Sequence, residues 1–148
     1  MPFEYFAECH DVHDGDSAKF VVSLGFNVAF GPTQFRFYGI NTPEMDSEDP
    51  ALKKRAEAAR QFVVDRLMPP GEAPKIKVTT FKADQDNVLD KYGRGLAAIS
   101  YQVVPPKPPK IKGKKQEPAP EPYWVNLCDE LVKAGHALPY FGEGEKPV

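Results

Sequence analysis

A chain of 148 residues, 41% of them apolar, can close one hydrophobic core but is too short for two, so a single domain spanning 1–148 is expected. No run approaches the roughly 20 apolar residues of a membrane span, and Met1-Pro2-Phe3-Glu4 carries no basic and apolar leader, so a soluble, cytoplasmic monomer without membrane contact is expected. The net charge of −2 offers no basic surplus for phosphate, and the two cysteines, Cys9 and Cys128, exclude a disulfide framework or a zinc knuckle and read as buried free thiols.

Three extended stretches open the chain: Phe3 to Val12, Ala18 to Leu24 and Thr33 to Ile40. They are rich in Phe, Val and Tyr, are separated by Asp-Gly and Gly-Pro turn signals, and predict a three-strand meander. Asp49-Pro50 then supplies an N-cap and a first-turn proline, and Leu52, Ala56, Ala59, Val63 and Leu67 recur at helical spacing until Pro69-Pro70-Gly71 ends the run. Lys75 to Phe81 and Gly95 to Tyr101 read as two further strands joined by a polar loop, Lys82 to Arg94. A second helix is expected near Asn126 to Ala134, closed by Gly135.

Three strands, a helix and two strands is the element order of an α+β, mostly β fold: a five-stranded OB-fold Greek-key barrel with a helix between strands 3 and 4 and a C-terminal helix. Val104 to Pro122 is dense in Pro and Lys and nearly free of large apolar residues, which marks a flexible surface loop. Its Pro-x-x-Pro spacing is compatible with docking to an aromatic groove, and its lysines with contact to phosphates.

Three short segments stand out: Asp14-Gly15-Asp16-Ser17, Phe35 to Glu44 (Phe-Arg-Phe-Tyr-Gly-Ile-Asn-Thr-Pro-Glu), and Asp90 to Ala97 (Asp-Lys-Tyr-Gly-Arg-Gly-Leu-Ala). Each alone has a bland explanation, as a hairpin turn, a helix-entry turn and an ordinary loop. In this order on this strand pattern they resemble the staphylococcal nuclease (thermonuclease-like) family, over a span from about His10 to Tyr140.

The resemblance implies a Ca²⁺-dependent hydrolase, a nuclease acting on DNA, RNA or both. It implies that Asp16, the side chain of Asn41 and the backbone carbonyl of Thr42 bind calcium, with Asp14 close by as a second or water-mediated partner. Mixed oxygen donors suit that hard cation. Glu44 would activate the attacking water, and Arg36 and Arg94 would grip the phosphate with guanidinium forks. Lys91, Tyr92 and Tyr140 would contact the nucleotide, against a plainer reading as exposed loop polars and a core-capping tyrosine.

The sequence departs from the family's best-known member at Asn41, where that member carries Asp. It also lacks room after Phe141 for a third helix. Other clusters have simpler readings: His10 and His13 fall on opposite strand faces, Asp84, Asp86 and Asp90 suit a solvated loop, and Asp46, Glu48 and Asp49 suit a helix entry. The alternatives to a nuclease are a catalytically inactive OB-fold nucleic-acid-binding module and an interaction domain using the Pro-rich loop. The sequence leaves open DNA against RNA and internal against terminal cutting.

Overall fold

A computed structural model describes residues 3–81, 94–106, 108–115, 118 and 120–140. The first three strands, β1 (Phe3–Asp14), β2 (Ser17–Gly25) and β3 (Val28–Phe37), form the expected antiparallel meander. Along β1, Tyr5, Ala7 and Cys9 pack against the core while Glu4, Phe6 and Glu8 are exposed, the period of two expected of a strand with one buried face. Register shifts between Cys9 and Asp11 and between Val12 and Asp14 twist the end of β1 into the Asp14–Ser17 turn.

After β4 (Ile40–Asn41) comes α1 (Pro50–Leu67), started as the sequence predicts: Asp49 accepts from the Ala51 N–H at 2.9 Å, and Ala56, Ala59, Val63 and Leu67 form its buried stripe. Then follow β5 (Ile76–Phe81), β6 (Gly95–Val103), β7 (Tyr123–Asn126), α2 (Leu127–Lys133) and β8 (Leu138–Pro139). Asn126 caps α2 by accepting from the Asp129 N–H at 3.1 Å, and Gly135, at φ 81°, follows its end.

Strands pair in the order β3-β2-β1-β5-β6, and β6 returns parallel onto β3 through Phe35↔Gly95, Arg36↔Leu96 and Phe37↔Ala97. That last pairing closes the five-stranded barrel of an OB-type fold. Phe20, Phe37, Val12, Val78 and Ile99 fill its interior, each such burial worth about 1.5–3 kcal/mol. Polar contacts tie both helices to it. Arg60 Nε donates to the Val12 carbonyl at 2.9 Å, while Glu130 accepts from Arg66 Nε and from the Tyr101 hydroxyl, each at 2.7 Å.

Several boundaries differ from those expected. The third strand begins at Val28, not Thr33, because the hairpin turns at Phe26 and Asn27, with φ 53° and 61°, the paired left-handed residues of a tight two-residue turn. Gly31-Pro32 is therefore no turn but an irregularity inside β3, between the pairs Phe20↔Thr33 and Val22↔Phe30. The Thr33 to Ile40 stretch is split at Tyr38-Gly39, leaving the two-residue β4, which pairs with β8. β7 extends the sheet beyond the five barrel strands by pairing with β6. Cys9 is only half-buried, whereas Cys128 is buried, and both are free thiols. The described residues between Val104 and Pro122 form no helix or strand.

Candidate active site

The Asp14-Gly15-Asp16-Ser17 turn is held by its own first carboxylate. Asp14 Oδ1 accepts from the Asp16 N–H at 3.1 Å and from the Ser17 hydroxyl at 2.8 Å. Gly15 lets this turn press against its neighbours: a Cβ there would lie 2.7 Å from Ala59 Cβ of α1 and 3.0 Å from Thr42 Cγ2. The approach brings the first motif onto the second. Asp16 Oδ2 accepts from the Thr42 N–H at 3.2 Å, and the Asp16 carbonyl accepts from the Phe37 N–H at 2.8 Å.

Asp16 is mostly buried beside a second carboxylate. Burial first, then the hydrogen bonding and charge of Asp14, raise its pKa to about 7, against the lowering influence of the Thr42 N–H and the Arg36 guanidinium. Thr42, whose N–H meets Asp16, and the preceding Asn41 are buried, at 3% and 8% exposure, and Thr42 Oγ1 has no hydrogen-bond partner among the described residues. Among those residues no three His, Cys, Asp or Glu side chains cluster as a metal site. The donors are instead two carboxylates, an amide and backbone oxygen. A hard divalent cation fits this set: it takes oxygen ligands, completes its shell with water, and offsets the negative charge of two carboxylates held close together.

Arg36 lies on the closing strand pair, opposite Ser17 on β2 and Leu96 on β6. Its guanidinium carbon stands 5.4 Å from the centroid of the Tyr140 ring. Tyr140 is placed there by its N–H, which donates to the Gly39 carbonyl at 2.8 Å, and by the β4–β8 pairing just before it. Arg36, Tyr38, Leu96 and Tyr140 line a small cavity of about 100 Å³. Arg94 is exposed and immediately precedes Gly95, the register partner of Phe35, so the two arginine positions enter from adjoining strands. Glu44 is exposed, two residues beyond Thr42, where its carbonyl accepts from the Ser47 N–H at 3.3 Å.

Asp14, Asp16, Arg36, Asn41, Thr42 and Tyr140 thus gather at one end of the barrel, with Glu44 and Arg94 on the segments that leave and enter it. Lys91 and Tyr92, with Asp84, Asp86 and Asp90, lie outside the described residues. A larger cavity of about 790 Å³ lies elsewhere, lined in part by Phe6, Val21, Ala29 and Pro74. It has the volume of a ligand pocket, yet its lining includes neither Asp16 nor Arg36, whereas the smaller one is lined by Arg36 and Tyr140. Sequence reading missed the ring of Tyr38, stacked on Phe81 with centroids 4.1 Å apart and planes at 17°. Its signal was an aromatic beside Arg36 in a motif already singled out.

The fold is thus an OB-type barrel that carries paired carboxylates and two arginine positions at one rim. Residues 34–147 match the staphylococcal nuclease homologue family, and the chain belongs to it. The family is nuclease-like and typically metal-dependent, with nucleic acid as the implied substrate. The match begins at Gln34, so the Asp14–Ser17 turn lies outside it and is joined to the matched span by the contacts to Phe37 and Thr42. A search of curated proteins finds no match.

Proposed function

We propose that the protein is a Ca²⁺-dependent nuclease that hydrolyses phosphodiester bonds of DNA, RNA or both by direct attack of water. The observation that supports this most strongly is the Asp16 carboxylate bridging to the Thr42 N–H at 3.2 Å within the field of Arg36. Two motifs 26 residues apart are thereby joined by a hydrogen bond.

Asp16, the Asn41 amide oxygen and the Thr42 carbonyl would hold the ion, with Asp14 fixing the turn beside them. Calcium bound there supplies positive charge that draws in the phosphodiester and offsets the extra charge of its transition state. Arg36 and Arg94 hold the non-bridging oxygens with planar donor pairs, and Tyr140 limits the swing of the Arg36 guanidinium. Glu44 takes a proton from the attacking water as its oxygen bonds to phosphorus. The bond from phosphorus to the leaving sugar oxygen breaks, and solvent protonates that oxygen. No serine or cysteine nucleophile is needed.

The test mixes purified protein with single- and double-stranded DNA and RNA, in calcium or in chelator. Cleavage is expected only with calcium, and Glu44→Gln should slow it by about 100-fold or more. Full cleavage by Glu44→Gln would remove the proposed base. Binding that is independent of calcium and never followed by cleavage would establish the inactive OB-fold binding module instead.

A further inference from the structure

The outward faces of β5 and β6 run away from this site as one strip. Three cross-strand pairs, Phe81↔Leu96, Thr79↔Ala98 and Lys77↔Ser100, alternate with buried pairs along it. Arg36 is the register partner of Leu96, and the Tyr38 ring lies on Phe81, so the strip begins at the phosphate site. At its other end Phe6 pairs with Lys77 and Trp124 pairs with Gln102. The Phe6 and Trp124 rings stand 6.3 Å apart and are 58% and 36% exposed, with the Lys77 ammonium 4.3 Å from the indole centroid. One carboxylate, Glu4, comes within 3.9 Å of that ammonium, from an exposed side chain.

From Leu96 to Gln102 the strip is about 20 Å long at strand rise. Small side chains occupy its middle, leaving a shallow floor between an aromatic-arginine end and an aromatic-lysine end. The chain leaves β6 at Val103 and enters β7 at Tyr123 at this end, and the sequence between them, Val104 to Pro122, carries five lysines against two glutamates. Two aromatic platforms on a strip with Arg36 at one end and Lys77 at the other fit a polyanion whose bases are unpaired, because stacking needs a free base face and paired bases have none to offer at the side of a duplex.

We infer that this strip is a track for single-stranded nucleic acid, leading from the phosphate site at Arg36 to an anchor made by Phe6, Lys77 and Trp124. The choice of ligand class rests on the nuclease reading; the placement of the anchor rests on the strand register and the ring geometry. A base stacks against the Phe6–Trp124 pair while Lys77 meets the backbone.

Trp124 is the one tryptophan of the chain, so its fluorescence reports the anchor directly. An oligothymidylate of about 12 nucleotides, within the usual span of one OB barrel, is titrated into the full chain in chelator, with the same length of duplex alongside. The single strand should quench Trp124 saturably and the duplex should not, with affinity falling as salt rises. Phe6→Ala should weaken binding roughly tenfold and Lys77→Gln should flatten the salt dependence, with thermal melts showing both variants folded. The track is overturned if an end-labelled strand gains anisotropy while Trp124 stays unchanged, if no strand binds, or if both variants bind as the parent does. It is equally overturned if Trp124 is instead covered by a second copy, seen as a concentration-dependent dimer that Phe6→Ala abolishes. Quenching without calcium-dependent cleavage would sink the nuclease reading and spare the track; cleavage with a silent Trp124 would do the reverse.

Discussion

Gly15 stands between the two carboxylates of the first motif and against both α1 and Thr42, and its missing side chain is what allows the three to meet. Gly15→Ala should cost about 1–3 kcal/mol, because Ala59 is itself fully buried and cannot retreat. Urea denaturation in chelator measures this, and an unchanged midpoint would show that the turn does not need the close approach. Asn41 is the second residue whose identity carries a prediction. It is buried one residue before Thr42, whose N–H meets Asp16, and the Asp16 pKa is already raised to about 7, so a third carboxylate there adds like charge that a bound cation would offset. Asn41→Asp should therefore bind calcium more tightly in a calorimetric titration and yet melt at a lower temperature in chelator. Equal calcium affinity in the two proteins would remove Asn41 from the ligand set.

The closing seam between β3 and β6 does most to assemble the candidate site, since Arg36 lies on one side of it and Arg94 enters on the other. Gly95 meets the flat of this seam, where a Cβ would run into the Phe35 ring. Gly95→Ala should force that ring aside, at a cost of about 1–3 kcal/mol, and lower cleavage more than a comparable loss of stability elsewhere in the barrel. A variant of equal melting temperature and full activity would contradict this. α1 and α2 were legible in the sequence, because Asp49 with Pro50 and Asn126 with Gly135 are local signals that need no partner. β4, β7 and β8 were not. They are two to four residues long, and their pairing is specified by the partner strand rather than by any pattern of their own.

At the scale of the whole molecule the core sets a limit on alkaline stability. Burial raises the Cys128 thiol from 9.0 to about 11 and the Cys9 thiol from 9.0 to about 12. The unfolded chain releases these protons near pH 9 while the folded chain keeps them. Stability that is present in full below pH 9 is thus lost as pH rises towards 11, by up to roughly 1.4 kcal/mol per pH unit for Cys128. Urea melts at a series of pH values should give a shallower decline for Cys128→Ala than for the parent. Parallel slopes would mean that the thiol already titrates freely in the folded protein.

The strand-helix-strand order, both helix caps and the three motifs were all decided by the chain as written, because each depends on neighbours within a few residues. The tertiary structure decided that Asp16 meets Thr42, that Tyr140 covers Arg36, and that β6 closes on β3 rather than leaving an open edge. It also decided that Tyr38, Phe81, Phe6 and Trp124 share one outward strip. Those are contacts across tens of residues, fixed by strand register and barrel closure, and no local pattern of side chains encodes a register.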